Sequence, residues 1–374
     1  MMAMTRTCVL LILGAICPFA SAAEVQNVIV YRQPGRFGGW PANHGMWVWG
    51  NELLVGFSAG YMQDNGLDRH AIDHDKGEEH LLARSLDGGE TWVIENPAAQ
   101  GQLIPQGEAL HGITPPGLEI PEWKDCPGGV DFAHPDFAMT LRMIDSNIGP
   151  SRWYYSLDRG HQWQGPFRFP QLDQPGIAAR TDYIVNGPDD CLVFLTAAKG
   201  NRREGRPLCA RTQDGGKNWN FVAWIAEEPS GYGIMPSTVR LGPMELLTAI
   251  RRHDDHRHWI ETFRSPDNGK HWKPAGVPVP DTGFGNPGSL IRLADGRLAL
   301  TYGVRRDPWR ICARTSADAG QSWSDEIVLR DDGGCRDLGY TMSRQRADGK
   351  VVTTYYIAES HDSERYIGAT IWQP

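Results

Sequence analysis

Arginine binds a carboxylate or sulfate through two parallel hydrogen bonds, and this chain spaces its candidates widely. Arg180, the pair Arg251 and Arg252, the group Arg305, Arg306 and Arg310, and Arg336 all stand where one β-rich run gives way to the next. Brought together, they would hold an anionic substrate. Proton-transfer groups are scattered in the same way. His44 lies between Trp40 and Trp47, Tyr340 lies near the C-terminal end, and Asp73, Asp75 and Asp136 sit in polar stretches. Positioned His and Tyr side chains move protons at a reacting centre. One chemistry open to this set is removal of the proton α to a uronate carboxylate by His44 or Tyr340. None of it works unless distant positions converge.

What must position them is a repeat. The phrase Ser85-Leu86-Asp87-Gly88-Gly89-Glu90-Thr91-Trp92 returns with the pattern S/T-x-D-x-G-x-x-W at Ser156, Thr212, Ser265 and Ser316. Starts at 85, 156, 212, 265 and 316 give spacings of 71, 56, 53 and 51 residues, the size of a propeller blade. The Asp carboxylate and the Ser/Thr hydroxyl can accept backbone N–H bonds inside a tight turn. The Gly reaches a backbone angle that other residues reach only with strain. The Trp buries a large ring where repeats meet. A β-rich run precedes each phrase, and earlier in each repeat comes a hairpin, such as Ser289 to Leu300 around Asp295-Gly296.

These phrases are Asp-boxes, and on them the chain resembles the sialidase superfamily of β-propellers. The resemblance implies an all-β, six-bladed propeller of four-stranded antiparallel blades, with each box structural and joining the two outer strands on the face away from the pocket. First strands are expected near 45–49, 137–143, 182–186, 237–241, 288–293 and 341–346. The sixth blade has no box and ends with Arg365 to Trp372, so Val25 to Tyr31 is expected to supply its outer strand and close the ring. Residues 93–135 read as an insertion between blades one and two, within a single propeller domain over 23–374.

On the pocket face such a ring would gather His44, the loop from Tyr61 to Glu79, Asp136, Arg180, Lys199 and the arginines above, with Arg336-Asp337 and Tyr340 from the last blade. The resemblance further implies an exo-glycosidase that removes a terminal sugar from an anionic glycan. A Tyr would attack, which keeps a carboxylate nucleophile away from an anionic sugar. Tyr340, eight residues before Asp348-Gly349, is similar to that nucleophile. Arg251 is similar to one substrate-binding arginine, Arg306 or Arg310 to another, and Asp73 and Asp75 are candidates for the acid/base. Two departures stand out. The family's Arg-Ile-Pro run falls at Gly39-Trp40-Pro41, which has no arginine, and its nucleophile-activating Glu falls near Met235-Pro236, which has none. His44 is instead similar to the pocket His of propellers that act on rhamnose linked to uronic acid. A polysaccharide lyase and a non-catalytic glycan-binding propeller are the alternatives on the same fold.

The rest of the sequence bounds the setting. A net charge of −8 and a pI near 5.8 argue against nucleic acid or an anionic membrane as partner. Arg6, the apolar run Val9 to Ile16 and Ala20-Ser21-Ala22 read as a signal peptide over 1–22, which predicts a secreted or periplasmic monomer. Five cysteines lie beyond it, and the shared Cys-Ala-Arg-Thr context makes Cys209 and Cys312 packing positions. The run His253 to His258 reads as a solvated loop rather than a metal site. Arg69 to His80 has the composition of a Ca²⁺ loop without its order. No cofactor or metal is expected.

Overall fold

The structure, a computed structural model, describes residues 25–106 and 114–374. The expected signal peptide lies outside the described residues. Six antiparallel sheets follow one another along the chain and form a six-bladed β-propeller. Blade four shows the plan: Tyr232–Arg240, Leu246–His253, His258–Ser265 and Lys273–Val279 pair in sequence order. Its second strand is buried through Leu246 to Arg251, as a strand covered on both faces must be. Blade five repeats the plan from Gly288–Arg292 to Ile327–Arg330.

Ring closure is as expected. Val25–Tyr31 pairs antiparallel with Tyr366–Trp372, from Val25 opposite Trp372 to Tyr31 opposite Ile367, and so completes blade six. Three blades depart from the plan: in blades one and three the inner strand is broken in two, and blade two is one strand short among the described residues. Its sheet holds three strands, Ala138–Met143, Ser151–Ser156 and Gln164–Phe169. Of the stretch expected as an insertion, Val93–Glu95 is instead the outer strand of blade one, while the segment around Lys124 lies along the outer edge of blade two, where Lys124 forms a parallel bridge with Phe167. Cys126, Val130 and Phe132 from the insertion pack into the cluster around Trp153 and Trp219.

Side chains join the inner strands of successive blades. Thr140 Oγ1 donates to the His44 carbonyl at 2.9 Å, and Leu141 N donates to Thr181 Oγ1 at 3.1 Å. Thr238 N and Oγ1 reach the Asp182 carboxylate at 3.2 and 2.8 Å. Leu290 N donates to Ser237 Oγ at 2.9 Å, and Ser343 N to Ser289 Oγ at 3.0 Å. These bonds run from blade one to blade six.

The boxes do what their composition predicts. In the fifth, Ser316 Oγ accepts Gly320 N at 2.8 Å and donates to Asp318 Oδ1 at 2.8 Å, while Ser322 N donates to Asp318 Oδ1 at 2.8 Å. The Ser322 and Ser316 bonds hold the Asp318 carboxyl down to about 2. The box Gly has φ between 82° and 95° at all five sites, and the residue before it is left-handed too, including Arg159, Asn268 and Ala319. All five described cysteines are free and buried, with Cys209 packed among Leu246, Ile250 and Phe263.

Trp219, at 6% exposure, meets Trp153 edge-on at 5.7 Å and Phe169 at 5.5 Å. Truncating such a ring costs roughly 3–5 kcal/mol. Trp219→Ala is therefore expected to lower the urea midpoint strongly while the folded fraction keeps its ligand chemistry. A fully stable but inactive variant would overturn the structural role of the boxes.

Candidate functional site

Strand alternation selects which arginines reach the axis. Successive residues of a strand point to opposite faces. Arg251 turns inward, while Arg252 turns outward to Glu261 at 3.2 Å and lies over the Trp259 ring. Arg305 turns inward, while Arg306 is exposed beside Asp281 at 3.5 Å. Arg310 is paired with Glu326 at 3.2 Å. Of these five sequence candidates the structure brings Arg251 and Arg305 together around Tyr340.

Tyr340 is aimed by a β-bulge. The register of the inner strand of blade six shifts between Gly339 and Met342, and Tyr340 takes φ 52°. A bulge re-aims a side chain in this way, and a non-Gly residue there needs support. Asn286 provides it: Oδ1 accepts Tyr340 N at 2.8 Å and Nδ2 donates to the Leu338 carbonyl at 2.9 Å. Blade four carries the matching bulge, with Met235 at φ 54°. Met235 therefore occupies the place where the resemblance would put a carboxylate.

The Tyr340 hydroxyl accepts Arg251 Nη1 at 3.3 Å, and the Arg305 guanidinium lies 5.4 Å from the Tyr340 ring centre. Arg305 is fixed by the Leu338 carbonyl at 2.9 Å and the Tyr356 hydroxyl at 2.5 Å. Arg251 lies over the Tyr232 ring at 5.4 Å, and its buried Nε has no hydrogen-bond partner among the described residues. Neither guanidinium has a carboxylate within 4.0 Å among the described residues. Two cations left in this state at one point favour an anionic ligand.

His70 completes the group. Its Nδ1 pairs with Asp337 Oδ1 at 2.6 Å, its ring centre lies 6.4 Å from that of Tyr340, and Trp40 packs edge-on to it at 5.2 Å. Tyr356 also donates to Asp337 Oδ1 at 2.7 Å, and Ala71 N and Arg365 Nε hold Oδ2 at 3.0 and 3.2 Å. Although burial raises the Asp337 carboxyl, His70, Arg305 and Arg365 hold it far below the usual carboxylate range. Burial pushes His70 below its ordinary value; Asp337 opposes this, and Arg305 and Arg336 reinforce it. In its neutral form, which burial favours, the ring pairing with the Asp337 carboxylate places its proton on Nδ1 and leaves Nε2 as a base. This is the orientation a proton-transfer His requires.

Other candidates fall elsewhere. His44 is 1% exposed and is not part of the Tyr340 group, because the short helix Pro41–His44 turns its ring into the blade. Arg142 Nη1 donates to His44 Nδ1, His44 Nε2 meets Ser58 Oγ at 3.0 Å, and Ser58 donates to Glu78 at 3.2 Å. Asp73 is held by Lys76 at 3.0 Å, and Asp75 is exposed next to it. Neither bonds to Tyr340 or its arginines. Asp136 is at the Asp-box end, where its carboxylate takes Arg159 Nε at 2.6 Å, so it is not on the pocket face. Arg180 is buried and paired with Glu204 and Asn43. Arg336 stands at the rim, bonded to the Leu67 carbonyl and 5.2 Å from the Phe284 ring. Lys199 binds the carbonyls of Pro229, Ser230 and Gly231 and so fixes the loop before Tyr232.

Sequence reasoning passed over His70, Tyr356 and Tyr232. The only signal for His70 was the run of His and carboxylates in which it stands. Among the described residues no group of three or more His, Cys, Asp or Glu is placed to hold a metal ion.

A family model described as a BNR repeat-like domain matches residues 140–353. Among curated proteins, none matches the sequence. A protein of unknown function from Dyadobacter fermentans is similar in structure, with TM-score 0.68 and 20% identity, over 93% of this chain and 99% of that one. A Trypanosoma rangeli sialidase mutant displaying trans-sialidase activity gives 0.59 and 13%, over 94% of this chain. This chain spans 60% of that protein's length. An α-L-arabinofuranosidase from Fusarium graminearum gives 0.57 and 12%, over 92% and 96%. At these identities the likeness is one of fold.

Glu78, 2% exposed, tests the buried network behind the site. Burial pushes its carboxyl up to about 8, against weaker opposing effects of Ser58 and His74, with His80 3.7 Å away. The folded chain then keeps a proton that the unfolded chain releases near pH 4.3. Its contribution is complete below that value and is lost as pH rises towards 8. Relative to wild type, Glu78→Gln is expected to gain stability steadily between pH 5 and 8 and then level off, read by urea unfolding. A difference that does not change with pH would contradict this.

Proposed function

The chain belongs to the BNR repeat-like domain family, and from that premise we propose that it is an exported glycosidase acting on the terminal acidic sugar of an anionic glycan. The observation that carries this reading is Tyr340 in its supported bulge, with Arg251 and Arg305 beside it and no carboxylate within 4.0 Å of either guanidinium among the described residues. The two guanidiniums anchor the substrate carboxylate or sulfate. The Tyr340 hydroxyl accepts from Arg251, which leaves its own proton and a lone pair to face the sugar. His70 Nε2 exchanges a proton with the reacting oxygen, and Asp337 holds the ring and steadies the charge formed on it.

A second reading rests on a specific observation. Tyr340 has a guanidinium partner where a glycosidase of this kind would have a carboxylate, and His70 is a neutral base. That arrangement suits β-elimination of a uronate, in which the arginines neutralise the carboxylate, His70 takes the α-proton and Tyr340 protonates the leaving oxygen. The products separate the two readings. A panel of acidic glycans, with products weighed, gives a gain of one water for hydrolysis and a 4,5-unsaturated uronate for elimination. No product from any of them would remove both readings.

On the glycan so identified, Arg251→Ala is expected to weaken substrate binding about tenfold to hundredfold, since a hydrogen bond to a charged group contributes roughly 1.5–3 kcal/mol. Tyr340→Phe and His70→Ala should each lower kcat by about 10²–10⁴. His44→Ala should instead lower the melting temperature and spare turnover in the folded fraction. With His70 as the base, kcat/KM should fall on the acid side only below the ordinary histidine range. Near wild-type turnover in Tyr340→Phe and His70→Ala together would exclude this centre.

A further inference from the structure

A second concentration of unpaired guanidinium lies at the opposite end of the axis. A cavity of about 430 Å³ opens among the inner strands on the Asp-box side. Ala42, Met235 and Met342 line its inner end, which faces the short helix. Arg240 and Arg292 stand at its mouth, each one residue before a hairpin turn, and Arg344 lies slightly deeper.

The bonding of these three sets them apart. Arg240 donates to neutral oxygens: the Pro243 carbonyl at 2.7 Å, Asn186 at 2.5 Å and Asn268 at 2.9 Å. Arg292 Nη1 reaches the Arg240 carbonyl at 3.4 Å, and Arg344 Nη1 the Ser343 carbonyl at 2.7 Å. None has a carboxylate within 4.0 Å among the described residues, whereas Arg264, Arg297 and Arg346 on the same face all do. The one acidic group among the described lining residues, Asp182, is bonded by Thr238 N and Oγ1, and its charge also faces Arg344 from beyond 4.0 Å.

The walls suit a sugar. Trp47 and Tyr183 form one side, fixed to each other by a bond of 3.1 Å from the indole N–H to the phenol oxygen. Ser237 and Ser289 line the other. Each hydroxyl accepts a backbone N–H, from Leu290 and Ser343, and donates to no described residue. Aromatic faces, free hydroxyl donors and a cationic mouth, in a volume within the range of small-ligand pockets, fit a small ring that carries an oxyanion.

We propose that this channel is a second ligand site, separate from the Tyr340 centre, that binds one acidic sugar ring. Its carboxylate meets Arg292 and Arg344, and its hydroxyls reach Ser237 and Ser289. The test is calorimetric titration of the Arg251→Ala chain, which lacks the anchor of the other face, with glucuronate, glucose and inorganic sulfate. Glucuronate is expected to bind at one site, and glucose not to bind. Arg292→Glu in that background should weaken glucuronate at least about tenfold. Arg292 is exposed, so this variant leaves the core intact, and Arg292→Ala/Arg344→Ala should repeat the loss. Glucuronate binding that is abolished by Arg251→Ala alone, or untouched by Arg292→Glu, would overturn the proposal. Sulfate binding as tightly as glucuronate would overturn the sugar class.

Discussion

From blade one round to blade six, the inner strands of this propeller are joined to one another by short side chains. Between one inner strand and the next, a Thr, Ser or Asp oxygen takes a backbone N–H or bonds a carbonyl, from Thr140 on His44 to Ser289 on Ser343. Each bond is modest and buried or half-buried, so losing one would leave an unsatisfied amide or hydroxyl with little access to water. These bonds fix the height of each inner strand relative to its neighbour. Everything that projects from those strands towards either end of the axis takes its position from that alignment.

Within the alignment, two bulges create the difference between ordinary lining and a site. A regular strand would continue the alternation through Tyr340 and Met235. The extra residue in each strand lets both adopt a left-handed backbone and point where neighbouring blades have nothing comparable. At one bulge the chain places a phenol among arginines. At the other it places a thioether. The centre is consequently cationic, with Asp337 as its fixed anion and that charge shared among His70, Arg365 and Tyr356.

Much of the fold was legible because it repeats. Five boxes at blade-sized intervals announce five outer turns, and a last blade one strand short announces its partner at Val25 to Tyr31. Legibility failed where the repeat did. The left-handed residue before each box Gly is Arg159 in one box and Ala319 in another, so residue type carried no signal there. In the site, Tyr340, Arg251 and Arg305 could be found from their places at strand ends. Arg252 and Arg306 could not be told from their neighbours, because whether a residue faces the axis or the outside depends on register. His44, expected beside Tyr340, instead ends a single helical turn and meets Ser58 and Arg142, and His70 was hidden because an irregular loop has no period to read.

The closing pair has a consequence for biosynthesis. Among the described strands Val25–Tyr31 is made first, and its partner Tyr366–Trp372 last. Until that partner has been made, the early strand has no sheet to join. Five blades can form as they emerge, but the ring stays open, with the edges of the closing pair unpaired, until residue 372 is in place. Only a chain that reaches Trp372 can hide both edges at once. The topology therefore acts as a length check, in which a chain cut short of Trp372 carries unpaired strand edges.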